Sequence, residues 1–198
     1  AELLAGEIGR RLGLHVPELV FVTLDPAFGN TEMDPEIAGL IQASRGLNLG
    51  LRYLPYSFAY DPLLRAKPSA ELASAIVWFD AYVTNVDRTV RNPNILVWQR
   101  ELWLIDHGAA LYFHHDWRDY LARSRSPFEH IKDHVLLPYA AALDAADAAG
   151  HERLNEEVID ELAGLLPDDW LAGNAFASPD GYRSAYASYL RNRLAASA

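Results

Sequence analysis

Two short apolar runs on either side of a polar turn constrain the fold of this chain more than any other sequence feature. Residues 95–98 and 102–105 are rich in residues that favour strands, and residues 99–101 are Gln-Arg-Glu. This pattern predicts a β-hairpin. Because a hairpin returns the chain to its starting point, Asn92, before the first strand, and Asp106, after the second, are expected to lie close together.

The polar loop before this hairpin supplies a second carboxylate. Asp87 lies five residues before Asn92 in the loop 85–94, whose sequence is NVDRTVRNPN. Carboxylate and amide oxygens are ligands for hard cations, and phosphoryl transfer needs a carboxylate near the acceptor hydroxyl and Mg²⁺ on the phosphates. A single Asp in a polar loop would more often cap a turn. The joint placement of Asp87, Asn92 and Asp106 instead predicts the metal and catalytic-base half of a phosphotransferase site.

Two stretches carry a resemblance to a known family. Residues 79–98, FDAYVTNVDRTVRNPNILVW, and residues 102–115, LWLIDHGAALYFHH, resemble the HipA-like kinases and, more distantly, the protein and lipid kinases. In these enzymes an Asp is followed at the fifth position by a metal-binding Asn and later by Asp-x-Gly. The resemblance implies an α+β, protein-kinase-like fold of the HipA type. It would combine partial N-lobe strands with a mostly helical C-lobe that contains a catalytic β-hairpin.

The resemblance also implies roles for the polar residues. Asp87 would be the catalytic residue, and Asn92 and Asp106 would be the metal ligands. Asn94 would be a neighbour without an assigned role. The implied cofactors are ATP and Mg²⁺. The implied reaction transfers the γ-phosphoryl group of ATP to a hydroxyl of an unidentified acceptor, either a small molecule or a Ser or Thr of a protein.

The same resemblance divides the chain into two lobes. Residues 1–56 would form a partial N-lobe and hinge, and residues 57–198 a helical C-lobe with the catalytic loop and the metal-binding segment. The hinge would follow a strand predicted over residues 46–54 and hold the edge of the nucleotide. Its candidate nucleotide-binding residues are Tyr53, Leu54 and Tyr56.

Glu2 matches the N-lobe Glu that, by resemblance, pairs with a phosphate-binding Lys. That Lys should come from an earlier strand, but the sequence starts at Ala1 and its two lysines, Lys67 and Lys132, lie far downstream. Truncation and a departure from the family pattern are the two alternatives. Without this Lys and an ATP-covering loop, we expect this chain to catalyse transfer weakly even if the full-length protein is a kinase.

Apolar periodicity predicts the remaining elements. Leu4, Ile8 and Leu12 indicate a helix that ends at Gly13, and residues 20–24 indicate a buried strand. Residues 28–35 are predicted to be loop. Further helices are predicted over residues 71–83, 139–149 with Gly150 as the stop, 154–166 and 182–194, the last with a buried aromatic stripe. Asp80 either faces solvent or braces the catalytic loop, and the two interpretations have about equal support.

Composition limits the function further. The net charge of −10 and the isoelectric point near 5.1 argue against nonspecific nucleic-acid binding. The absence of cysteine excludes disulfides, thiolate zinc sites and a Cys nucleophile, and is typical of a cytoplasmic protein. No apolar run approaches the roughly 20 residues of a membrane-spanning helix, so no membrane partner is expected.

Two alternative functions remain open. A noncatalytic kinase-like module would bind nucleotide, or another protein through its C-terminal helices. A transition-metal hydrolase would use histidines and aspartates to activate water; the candidates are His107, His114 and His115 with Asp106 and Asp116. This second signal is weak, because adjacent His114 and His115 would point in opposite directions on a strand. Arg88 and Arg91 could bind phosphate, but pairing with nearby carboxylates is favoured.

Overall fold

In the computed structural model, residues 1–25, 27, 32–63 and 67–196 are described. They form seven α-helices and two small antiparallel sheets, a mixed α and β fold compatible with the predicted class. Their contacts divide into two compact units. The smaller unit is Pro17–Leu54, and the larger unit joins Ala1–Val16 to the described residues from Pro55 onward. The lobe division at residue 56 stays a prediction.

The smaller unit is a two-stranded sheet with one helix between its strands. Strand β1 (Leu19–Leu24) pairs antiparallel with β2 (Gly46–Leu51), so both predicted strands are confirmed, but the second ends three residues before the predicted residue 54. The predicted burial of β1 is wrong: its central residues Val20, Phe21 and Val22 are 40–50% exposed. A β-branched and aromatic run favours a strand, but it does not determine whether another layer covers that strand.

Helix α2 (Pro35–Ala43) belongs to the same unit and was not predicted. Asp34 caps its N-terminus by accepting hydrogen bonds from the backbone N–H groups of the next turn, and Pro35 opens the helix. The predicted loop 28–35 is therefore wrong at Pro35, and its residues 28–31 lie outside the described part of the chain.

The larger unit begins with helix α1 (Glu2–Arg11), as predicted. Leu4 and Ile8 are buried on its inner face. Gly13 has a φ of +83°, a left-handed conformation that glycine adopts without the steric cost of a Cβ. The helix therefore ends where the sequence predicts.

Helix α3 (Ala70–Tyr82) is the centre of the core. Ser69 caps it by accepting a hydrogen bond from the backbone N–H of Leu72. The predicted apolar stripe is present, with Ile76 and Phe79 fully buried. Most of the other residues in its last three turns are also buried, including Asp80. The helix is thus surrounded by protein rather than packed on one side only.

The predicted hairpin is confirmed and is extended by a third strand. Strands β3 (Phe58–Ala59), β4 (Ile95–Trp98) and β5 (Glu101–Leu104) form one antiparallel sheet in that order. The turn consists of Gln99 and Arg100, with φ values of 51° and 70°, as a two-residue type I′ turn requires. The predicted second strand is therefore shifted by one residue, since Glu101 pairs with Trp98 instead of lying in the turn.

Helices form most of the remaining chain. They are α4 (Tyr120–Arg123), α5 (Leu143–Arg153), α6 (Glu156–Gly164) and α7 (Pro179–Ala195), with short 3-10 turns between them. The predicted stop at Gly150 is wrong, because α5 continues through it. A Cβ at this position would lie 2.3 Å from the ring of Trp78, so Gly150 allows α5 to approach α3 closely.

Helix α7 buries its aromatic face, as predicted. Tyr182, Tyr186 and Tyr189 are buried, and the ring of Tyr189 stacks 3.7 Å from that of Phe113. The aromatic stripe is therefore part of the core. In the described part of the chain, no helix combines the length and apolar character needed to cross a bilayer.

Candidate active site

The loop before β4 places two side-chain amides against the carboxylate of Asp87 and a third against its backbone. Asn92 Nδ2 donates a hydrogen bond of 2.7 Å to Asp87 Oδ2, and Asn94 Nδ2 lies 3.3 Å from the same oxygen. The backbone N–H of Asp87 donates to Asn85 Oδ1 at 3.2 Å. Asp87 is thus oriented by its own loop, while its second oxygen, Oδ1, accepts no hydrogen bond from the described residues.

The hairpin brings the segment after β5 back to this loop. The backbone N–H of Ile105 donates to the Asn94 carbonyl at 3.0 Å, and Asn94 Nδ2 lies 3.4 Å from the Asp106 carbonyl oxygen. One amide therefore contacts both Asp87 and Asp106. No role is predicted for Asn94 from the sequence. Its positive φ of 48° and its place directly before β4 explain why it reaches both sides.

The amide oxygen of Asn92 and the carboxylate of Asp106 are available to bind a hard cation. Because an ionised carboxylate only accepts hydrogen bonds, Asn92 must present its NH₂ group to Asp87, and its amide oxygen remains available. The exposed Asp106 carboxylate makes no hydrogen bond or ion pair with any described residue. An amide oxygen and a free carboxylate are ligands that Mg²⁺ accepts, with water completing its octahedral shell. The donor set of Asn92 and Asp106 therefore fits the predicted metal.

A buried ion pair lies behind the loop at residues 85–94. Asp80, on α3, is fully buried and accepts from Arg88 Nε at 2.5 Å and from Asn85 Nδ2 at 2.9 Å. Arg88 Nη1 also donates to the Asn94 carbonyl. The interpretation of Asp80 as a brace of the loop at residues 85–94 is thus confirmed, and so is the pairing of Arg88 with a carboxylate.

His134 completes this buried cluster from a distant part of the sequence. Its Nδ1 accepts from the backbone N–H of Leu136 at 3.0 Å, so its Nε2 carries the proton that is shared with Asp80 Oδ2 at 2.9 Å. Burial alone would raise the pKa of Asp80, but the charge of Arg88 and the hydrogen bonds from His134 and Arg88 outweigh it and lower that pKa to about 2. No local pattern in the sequence indicates His134.

Glu2 contacts the segment after β5 directly. Its carboxylate accepts from the backbone N–H of His107 and lies 3.2 Å from His107 Nδ1. Burial would raise the pKa of Glu2, but its hydrogen bonds and charge interaction with His107 outweigh burial, so that pKa is lowered. Glu2 thereby ties α1 to the residue after Asp106. Its predicted pairing with a Lys stays a prediction.

The three predicted hinge residues differ in environment. Tyr53 is 82% exposed and Leu54 is buried; both belong to the smaller unit. Tyr56 belongs to the larger unit, where it is 98% exposed with a positive φ of 62°. Their nucleotide-binding role stays a prediction.

The histidines of the hydrolase alternative have a different geometry from the one predicted. His114 and His115 lie in a 3-10 turn, not a strand, and their ring centroids are 4.3 Å apart. Burial lowers the pKa of His114 to about 4. Among the described residues, no group of three His, Asp or Glu side chains is placed to hold a metal ion. This geometry gives the hydrolase interpretation no support.

Comparison with known proteins agrees with the kinase interpretation. The sequence model of the HipA-like kinases matches residues 1–183, most of the 198-residue chain. Comparison with curated proteins gave no match, and comparison with solved structures gave none. Because the family match covers well over half of the chain, this protein belongs to the HipA-like kinase family.

Proposed function

We propose that this protein is an Mg²⁺-dependent phosphotransferase that moves the γ-phosphoryl group of ATP to a hydroxyl acceptor. Membership of the HipA-like kinases supports phosphoryl transfer in general. The observation that carries the specific proposal is the contact of one amide, that of Asn94, with both Asp87 and Asp106. It links the Asp87 carboxylate, which is suited to the acceptor, to the backbone carbonyl of Asp106, the residue whose carboxylate is suited to the metal.

Asp87 would position the acceptor hydroxyl. Its Oδ2 is held by the amides of Asn92 and Asn94, which leaves Oδ1 to accept the hydroxyl proton. A carboxylate in this role aligns the attacking oxygen and takes its proton as the new O–P bond forms and the bond to the leaving phosphate breaks. Orientation of this kind accounts for a large part of catalysis in phosphoryl transfer.

Asn92 and Asp106 would hold the metal on the nucleotide phosphates. When bound, Mg²⁺ would supply positive charge that offsets the negative charge of the nucleotide phosphates. The amide nitrogen of Asn92 is occupied by Asp87, so its oxygen is the atom that is free to bind the metal. Glu2 would keep the Asp106 segment in place through the backbone of His107.

Calorimetric titration with ATP, with and without Mg²⁺, tests this function. We expect binding that requires Mg²⁺ in the wild-type chain, loss of that binding in Asp106→Asn, and retention of it in Asp87→Asn. Transfer to an acceptor, or ATP hydrolysis by water as a substitute acceptor, should fall about 10²–10⁴-fold in Asp87→Asn. Asp169→Asn is the matched control, since Asp169 is an exposed carboxylate in a 3-10 turn.

Two results would contradict the proposal. One is metal-dependent nucleotide binding that Asp106→Asn leaves unchanged, which would place the metal elsewhere. The other is an unchanged transfer rate in Asp87→Asn, which would remove its role as the acceptor-positioning carboxylate. Metal-dependent binding in the wild type, without any transfer, would favour the noncatalytic nucleotide-binding module.

A further inference from the structure

A cleft of about 580 Å³ opens beside the catalytic loop. Residues 89–91 form one wall, and residues 132–134 with 137 and 138 form the other. Its volume lies within the range of about 300–1,000 Å³ that is usual for small-molecule sites. The cleft belongs entirely to the larger unit.

The first wall is part of the loop that carries Asp87. The backbone N–H of Thr89 contacts the carbonyl oxygens of Asp87 at 2.9 Å and of Asn92 at 3.0 Å. The hydroxyl of Thr89 accepts from the backbone N–H of Asn92 at 3.3 Å. A molecule bound in the cleft would therefore rest on the same tight turn that presents Asp87.

The buried cluster holds the two walls together. The backbone N–H of Val135 donates to the Arg88 carbonyl at 3.1 Å, and Thr89 and His134 form an isolated β-bridge. The ring of His134 is occupied by Asp80 and the backbone of Leu136. The shape of the cleft is thus fixed by the fold, and His134 is not available to a ligand.

Two cations at this cleft have no partner within the described part of the chain. Arg91 and Lys132 are both exposed, and neither forms an ion pair with a described carboxylate. Asp133 is the one acidic residue among the lining residues. In a chain with a net charge of −10, a cleft with more positive than negative side chains would attract an anion locally against the overall repulsion.

We propose that this cleft binds the phosphoryl acceptor, and that Arg91 and Lys132 select acceptors that carry an anionic group, a carboxylate or a phosphate, near the reacting hydroxyl. This proposal rests on the proposed function, because only a phosphotransferase would use the bound molecule as a phosphoryl acceptor. An Arg binds such groups through two parallel hydrogen bonds and a Lys as a point charge. The exposed Val90 and the half-buried Leu137 would contact the apolar part of the acceptor.

Acceptor binding can be measured without nucleotide or Mg²⁺, which separates this test from that of the proposed function. The probes are a serine peptide flanked by glutamates, the same peptide with glutamines, glycerol 3-phosphate, and glycerol. We expect an acidic probe to bind more tightly than its neutral counterpart, and salt to weaken it. Tighter binding of the acidic peptide would indicate that the acceptor is a protein with acidic side chains. Tighter binding of glycerol 3-phosphate would indicate that the acceptor is a small molecule with a phosphate group.

Charge variants assign the binding to this cleft. The double variant Arg91→Gln/Lys132→Gln should weaken the acidic probe about tenfold, whereas the control Arg45→Gln/Arg125→Gln removes the same charge from two exposed positions elsewhere and should have little effect. Asp133→Asn should tighten binding, a gain that structural damage would not produce. In the transfer assay, Arg91→Gln/Lys132→Gln should raise KM for the acceptor and leave the affinity for Mg²⁺ and ATP unchanged.

The proposal is overturned if neither acidic probe binds more tightly than its neutral counterpart. Equal losses in the cleft variant and in the control variant would also overturn it, because they would reflect net charge alone. If the acidic probe binds the cleft but ATP binding is independent of Asp106, the cleft stands as an anion site and the proposed catalytic function fails.

Discussion

Two aspartates seven residues apart, Asp80 and Asp87, have opposite environments. Asp80 is fully buried, and both of its oxygens accept hydrogen bonds from side chains of the larger unit. Asp87 is only half-buried, and one of its oxygens accepts from two amides of its own loop. Both carboxylate oxygens of Asp80 are thus used in hydrogen bonds within the protein. Asp87 keeps one carboxylate oxygen that could accept a hydrogen bond from a ligand.

Arg88 is the link between the two environments. Its Nε pairs with Asp80, while its Nη1 reaches the carbonyl of Asn94, the residue whose side chain contacts Asp87. Arg88 is 1% exposed, so its charge depends on Asp80 for compensation. The buried pair thereby fixes the backbone that carries the exposed site.

The largest expected effect comes from making the same Asp→Asn change at the buried Asp80 and at Asp106, which is an exposed carboxylate of the candidate site. Asp80→Asn leaves the Arg88 charge buried without compensation and should lower the free energy of unfolding by about 3–5 kcal/mol. Asp106→Asn alters an exposed carboxylate without a described partner. It should change the free energy of unfolding by no more than about 0.5 kcal/mol. Urea denaturation followed by tryptophan fluorescence measures both. Similar losses in the two variants would break the comparison.

A smaller effect should appear in acid. The pKa of Asp80 is lowered from 3.8 to about 2 in the folded protein, so its contribution is fully present above the unfolded pKa and is lost as the pH falls toward 2. This contribution is roughly 2–3 kcal/mol. We therefore expect the difference in unfolding free energy between wild type and Asp80→Asn to narrow as the pH is lowered from about 5 to 2.

Asp106→Asn serves as the reference for this acid titration. Each variant removes one carboxylate, which is buried in Asp80→Asn and exposed in Asp106→Asn, so their comparison isolates the buried charge. A difference between wild type and Asp80→Asn that stays constant down to pH 2 would show that the Asp80 charge is not the source of its stabilisation.

The sequence predicts the local parts of this site better than the long-range ones. The hairpin, and with it the return of residue 106 to the loop at 92–94, follows from two β-prone runs and a polar turn, although the turn proved one residue shorter than the predicted 99–101. Asp87 and Asn92 are candidates because they lie five residues apart in one loop, and their side chains are in contact there. His134 was missed because it meets Asp80 across 54 residues, and the helix through Gly150 was missed because only the ring of Trp78 explains that glycine.

The smallest expected effect concerns Asn94, where the two environments meet. Asn94→Gly removes the amide but tolerates the φ of 48°, and should lower the free energy of unfolding by about 1 kcal/mol. Asn94→Ala removes the same amide and adds about 1 kcal/mol of backbone strain. The difference in unfolding free energy between the two variants therefore measures the cost of the positive φ for a residue with a Cβ. The loss that they share measures the contribution of the Asn94 amide.

Binding of ATP with Mg²⁺ by these two variants decides what positions the exposed site. Both variants keep the backbone carbonyl that accepts from Arg88, and both lose the amide that contacts Asp87 and Asp106. An equal decrease in affinity in the two variants would show that the amide aligns the Asp87 carboxylate with the backbone of Asp106. Unchanged affinity in Asn94→Gly would instead mean that the buried Asp80–Arg88 pair positions the site through the backbone carbonyl of residue 94. The position of the exposed Asp87 would then depend on the buried Asp80.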